Sequence, residues 1–189
     1  MTAYNSYVSI PHSSYGEWKL YTLNNQYDVD NFPSEQPYQC WDFTAEFWYN
    51  LGYGTGWPHT GPHGAAYECW TVSRNDNAGV QFDLITNLND VKQGDVMVYD
   101  QFTGNEWGHI GFANQDYATW TPDPSQPYEF PILSQNNSAN YVNVKGYDTR
   151  LFLGAFRLKV WNPSPSPTQE NVKRFPWALY ANKLRNRNM

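Results

Sequence analysis

Hydrophobic positions follow two regimes along the chain. Between residues 39 and 51 they recur at helical spacing: Phe43, Phe47 and Leu51 share one stripe, with Trp41, Ala45 and Trp48 beside it. The spacing predicts a helix over Gln39–Leu51, stopped by Gly52 and followed by Gly54 and Gly56. A shorter apolar pattern over Ala65–Val72 predicts a helical segment that buries Cys69. From Val80 onward the pattern turns to strand. Val96–Tyr99, Ile110–Ala113, Tyr128–Gln135, Tyr141–Val144 and Leu151–Trp161 alternate or run apolar over strand lengths, and Gly104, Pro122, Pro124 and Pro127 punctuate the gaps. Helices first and strands later predict an α+β fold, with N-terminal helices packed on a twisted antiparallel sheet. Residues 1–26 carry no sustained period and read as an irregular N-terminal arm. Asp76–Gly79 reads as a turn.

Composition changes this picture in three ways. The chain has 189 residues, enough for one ordinary domain with extensions, and its 9 Trp, 15 Tyr and 10 Phe supply a core at a modest 40% hydrophobic content. No run approaches the roughly 18 apolar residues of a membrane span. The start, Met1-Thr2-Ala3-Tyr4-Asn5, lacks the basic and apolar regions of a signal peptide, so synthesis in a cytoplasm is expected. Charge is split: residues 1–162 carry 7 Lys/Arg against 17 Asp/Glu, net −10, whereas residues 163–189 carry 5 against 1, net +4. The acidic body disfavours nucleic acid as a partner. Pro163-Ser-Pro-Ser-Pro167 reads as a stiff linker to a basic, aromatic tail over residues 168–189.

Chemistry concentrates at the start of the first helix. Cys40 occupies its first turn, where free backbone N–H groups and the helix dipole favour a thiolate, the nucleophilic form. His109, in Gly108-His109-Ile110-Gly111-Phe112, enters a strand far along the chain. A cysteine at a helix start and a distant histidine on a strand are the parts of Cys/His nucleophilic catalysis. Two cysteines make no disulfide framework. Upstream, Asp28 and Asp30 alternate with Val29 so that both carboxylates can face one pocket. With the Phe32 carbonyl and Asp42, this oxygen-rich loop suits Ca²⁺ better than Mg²⁺. His59 and His63 stand four apart, but Pro62 and the flanking glycines deny them a helix, so they read as loop histidines rather than metal ligands.

Taken together, Asp28-Val29-Asp30, Tyr38-Gln39-Cys40-Trp41-Asp42, Gly94-Asp95-Val96-Met97-Val98 and the His109 motif resemble the CHAP family, the cysteine, histidine-dependent amidohydrolases/peptidases. The resemblance spans about residues 27 to 161. It implies a papain-like CHAP fold and an enzyme that cuts an amide bond of bacterial peptidoglycan, many such enzymes being bacteriophage lysins. It also implies Cys40 as nucleophile, His109 as general acid–base and Gln39 in the position of the oxyanion donor. A third polar group on the next strand would orient the imidazole. In Leu133-Ser134-Gln135-Asn136-Asn137, Asn136 matches the family's asparagine and Ser134 stands where the family has glutamate, with Asp116 as a rival third member. The family often carries calcium just before the cysteine, although here Asn31 replaces its glycine.

The expected function is therefore a phage-type peptidoglycan hydrolase, an N-acetylmuramoyl-L-alanine amidase or a peptide-crosslink endopeptidase. It would act from the virion tail, with residues 168–189 docking other phage tail proteins, or as an endolysin released through a holin pore. A second reading, from a different class, is a catalytically silent structural or binding subunit of the virion that keeps the fold.

Overall fold

A computed structural model describes residues 14–29, 38–53, 56–79, 81–137 and 139–160. The Pro/Ser linker and the basic tail, with its expected docking role, lie outside the described residues, as do Asp30 and Phe32.

Among the described residues four helices precede the sheet: α1 (Tyr15–Thr22), α2 (Cys40–Asn50), α3 (Glu68–Thr71) and α4 (Arg74–Ala78). The helix expected over Gln39–Leu51 is α2. Gln39 is extended at its N-cap and donates its backbone N–H to Asp42 Oδ2 at 2.7 Å, one arm of a capping box. Two expectations are corrected. The N-terminal arm contains α1, capped by Ser14 Oγ accepting from the Glu17 N–H at 3.3 Å. Its buried stripe is Tyr15, Trp18 and Thr22, which hydropathy alone does not mark because two of the three carry hydroxyls. The turn expected at Asp76–Gly79 is instead α4 and its C-cap.

Six strands follow among the described residues: β1 (Phe82–Ile85), β2 (Val96–Tyr99), β3 (His109–Ala113), β4 (Glu129–Ser134), β5 (Asn143–Asp148) and β6 (Phe152–Leu158). They form one sheet of order β1-β6-β2-β3-β4-β5, and every pairing is antiparallel. The fold is the expected α+β arrangement.

Every residue of β2 and β3 is buried, so the centre of the sheet is covered on both faces. Alternation sorts the strands between two cores. Val96, Val98, Ile110, Phe112, Leu133 and Phe156 join the helices, whereas Met97, Tyr99, Ala113, Phe130, Ile132 and Ala155 form a second cluster with Tyr117, Trp120 and Tyr147. On the helix side the rings interlock. Phe47 meets Phe112 edge-on at 4.8 Å, and Trp18 stacks on Phe43 at 5.7 Å and 13°. This packing sets α2 across β3 and brings its first residue to the start of that strand.

Candidate active site

Cys40 opens α2 and is 9% exposed; His109 opens β3 and is 3% exposed. The thiol accepts a hydrogen bond from the backbone N–H of Ile110, the residue after His109. Cys40 of α2 is thus placed beside Ile110, the neighbour of His109 in β3, and no hydrogen bond joins the sulfur to the imidazole among the described residues. Burial pushes the Cys40 thiol up to about 11; the N–H groups of Ile110, Trp41 and Cys40 itself pull against this, and the nearby Asp42 adds to the rise. Burial also pushes the His109 imidazole down to about 3. The thiolate expected from the helix start is therefore corrected. Desolvation outweighs the dipole, and the resting pair is neutral thiol and neutral imidazole.

The imidazole is held on two sides. Its Nε2 shares a hydrogen bond of 3.0 Å with Ser134 Oγ, and its face stacks on Tyr147 at 4.5 Å and 11°. The β3–β4 register pairs Phe112 with Leu133 and Ala113 with Ile132. Continued, it sets Gly111 opposite Ser134 and His109 opposite Asn136. But β4 ends at Ser134, and Asn136 turns away with φ 58°, exposed, its N–H donating to Ala139 O at 3.0 Å. Asn136 is therefore not the partner of His109. Ser134, two residues back and on the same face, takes that place. Gly111 makes the diagonal possible, since a Cβ there would stand 2.7 Å from the Ser134 Cβ. The rival Asp116 is engaged elsewhere, accepting from the Gln93 N–H at 2.8 Å.

Gln135, fully buried, ties the approach to Cys40 together. Its Nε2 donates to the carbonyls of Gln39 and Tyr27 at 3.0 and 2.7 Å, and its Oε1 accepts the Tyr27 N–H at 2.8 Å. Asn105 does the same for the histidine. Its Nδ2 donates to the Gly108 carbonyl at 3.0 Å and to the Tyr147 hydroxyl at 3.3 Å. Gln135 lies in the Ser134-Gln135-Asn136 run but takes no role from it, and Asn105 lies in no motif; their contacts reveal both. An open cavity of about 510 Å³ lies between Tyr21, residues 24–27 and Tyr141; neither Cys40 nor His109 lines it.

The oxygen-rich loop divides. Asp42 is 1% exposed, and its oxygens accept the N–H groups of Val29 at 3.0 Å and Gln39 at 2.7 Å. There it fastens the loop to the helix start. Asp28 Oδ1 is buried with no hydrogen-bond partner among the described residues, which fits a cation ligand. No cluster of three His, Cys, Asp or Glu suited to a metal exists among the described residues. His59 and His63 are both exposed, as expected of loop histidines. His63 Nδ1 lies 2.8 Å from Glu68 Oε1. Burial raises the Glu68 pKa, but its hydrogen bonds from the His63 ring and from the N–H groups of Ala65 and His63 outweigh this and hold it below the usual carboxylate range. Cys69 is fully buried, as expected, with its thiol pushed far up by desolvation.

No family model matches the chain, and no curated protein matches it. Four chains among solved structures do. One is the crystal structure of the wild-type endolysin LysIME-EF1, 19% identical, covering 76% of this chain and 62% of that one with a TM-score of 0.46. This chain therefore spans less than two thirds of that protein's length. At such identity and TM-score the likeness carries no argument about function, which rests on the site itself. No helix among the described residues is long and apolar enough to cross a membrane.

Proposed function

We propose that the chain is a cysteine-dependent peptidoglycan hydrolase of bacteriophage type, an amidase or a peptide-crosslink endopeptidase. The observation that supports this reading is the placing of Cys40, at the start of α2, against the backbone N–H of Ile110, the residue after His109, whose Nε2 is held by Ser134. Because Nε2 is engaged by Ser134, Nδ1 is the nitrogen left for proton transfer. The thiol would turn from the Ile110 N–H, pass its proton to Nδ1 and attack the amide carbonyl carbon. The Cys40 N–H and the Gln39 side chain would hold the developing oxyanion. Collapse breaks the C–N bond, with His109 returning the proton to the leaving amine. A water that gives its proton to Nδ1 then releases the acid and regenerates the thiol. Cys40→Ala is expected to abolish release of fragments from purified cell walls while leaving the melting temperature within a few degrees of wild type. Mass spectrometry of fragments from the active protein tells the lactyl amide from the stem peptide.

Calcium is part of the proposal, on Asp28 with Asp30 and the Phe32 carbonyl, where it would brace the loop before the nucleophile. Added Ca²⁺ is expected to raise the melting temperature and chelator to lower it. A melting temperature indifferent to both would exclude the site. Searching purified virions for the chain decides between tail-borne delivery through residues 168–189 and release as an endolysin.

One observation favours the second reading, a silent structural subunit: the thiol is buried, protonated and bonded to backbone rather than to His109. Folded protein that releases nothing from walls of any susceptible strain would establish it.

A further inference from the structure

The hydrogen bond that steadies His109 comes from a neutral hydroxyl. Ser134 Oγ is its hydrogen-bond partner among the described residues, so no carboxylate answers the positive charge that the imidazole gains on taking the thiol proton. What lies against the ring instead is the face of Tyr147, at 4.5 Å and 11° from parallel. A cation within about 6 Å of an aromatic centroid is attracted by the ring's quadrupole, and more strongly where water is excluded. Tyr147 is also fixed in place. Its ring packs on buried Tyr99 at 4.5 Å, and its hydroxyl accepts from Asn105, which at the same time holds the Gly108 carbonyl just before His109. The groups facing His109 are thus Tyr99 on β2, Ser134 on β4 and Tyr147 on β5, with Cys40 of α2 reaching the neighbouring Ile110.

We infer that Tyr147 is a positioning residue for His109, its ring face fixing the plane of the imidazole and stabilising the imidazolium in place of an orienting carboxylate. This rests on the proposed role of His109 as the base. Within that role it separates two contributions: Ser134 anchors the ring edge through Nε2, and Tyr147 supplies electrostatic support through the ring face. Phe at position 147 keeps this support and removes only the Asn105 bond.

The experiment replaces Tyr147 with Phe and with pentafluorophenylalanine, which keeps the shape of the ring and inverts its quadrupole. Two rates are read on the full chain. One is alkylation of Cys40 by iodoacetamide at pH 7, located by peptide mass so that buried Cys69 does not interfere. The other is kcat and KM on purified walls. The fluorinated ring is expected to slow alkylation and kcat by roughly three- to thirtyfold relative to Phe, with KM unchanged. The fluorinated ring keeps the planar shape and is only slightly larger, so a purely structural role would leave the two rates close. Equal rates for Phe and pentafluorophenylalanine, with His109→Ala still slow, would overturn the role of Tyr147 and leave the base intact. Equal rates in all three proteins would overturn the base reading and this inference with it. A fluorine-dependent alkylation rate in a protein that cuts no wall would support Tyr147 and sink only the proposed substrate.

Discussion

Ser134 and Asn136 show how a single residue's backbone decides its role. Asn136 has the better chemistry for orienting an imidazole, yet its positive φ takes it out of β4 before it can face His109. Ser134 has the weaker group and the right position. Ser134→Ala is therefore expected to lower kcat about tenfold or more by freeing the ring, with Asn136→Ala close to wild type. Steady-state rates on purified walls check this, and the reverse order of effects would return the third role to Asn136. The same scale explains the protonation of the pair. Three N–H groups and a helix start favour the thiolate, but desolvation is larger, and Cys40 rests at about 11.

Among the elements, α1 matters more than its eight residues suggest. Trp18, fully buried, contacts Phe43 and Phe47 of α2 and Phe112 of β3, so it clamps α2 to β3. Trp18→Ala should destabilise the fold by about 3–5 kcal/mol through lost contact and a cavity, read by chemical denaturation. A loss below about 1 kcal/mol would mean that α1 is dispensable to the core. Asp95, the acidic residue of the Gly-Asp-Val-Met-Val motif, is likewise structural. It accepts Arg157 Nε at 2.9 Å and the Lys92 N–H at 2.8 Å, tying the approach to β2 to β6.

For the whole molecule, the buried imidazole couples stability to pH. His109 is held down near 3 against an ordinary value of 6.5, so the unfolded chain binds the extra proton between those values. Its burial is cost-free above about pH 6.5 and increasingly costly as pH falls toward 3. Wild-type protein should therefore lose stability faster than His109→Gln between pH 7.5 and 4.5, followed by thermal melts. Parallel curves would show that His109 is not buried neutral.

Much of this molecule is written in local pattern. The spacing of Phe43, Phe47 and Leu51 gives α2, the apolar runs at 96–99 and 110–113 give the two central strands, and the motifs single out Cys40 and His109. These signals are legible because periodicity and turn chemistry act over a few residues. The rest depends on contacts between distant segments. The α1 stripe becomes apolar only where Trp18 finds its partners, and the histidine's partner is chosen by strand register and by the clearance at Gly111. Tyr147 lies 38 positions beyond His109, on a strand that does not pair with β3, and meets it only in the folded sheet. The protonation of Cys40 and His109 belongs to the same class. Sequence supplies the groups, but burial sets their charge, and burial exists only once the sheet is covered on both faces.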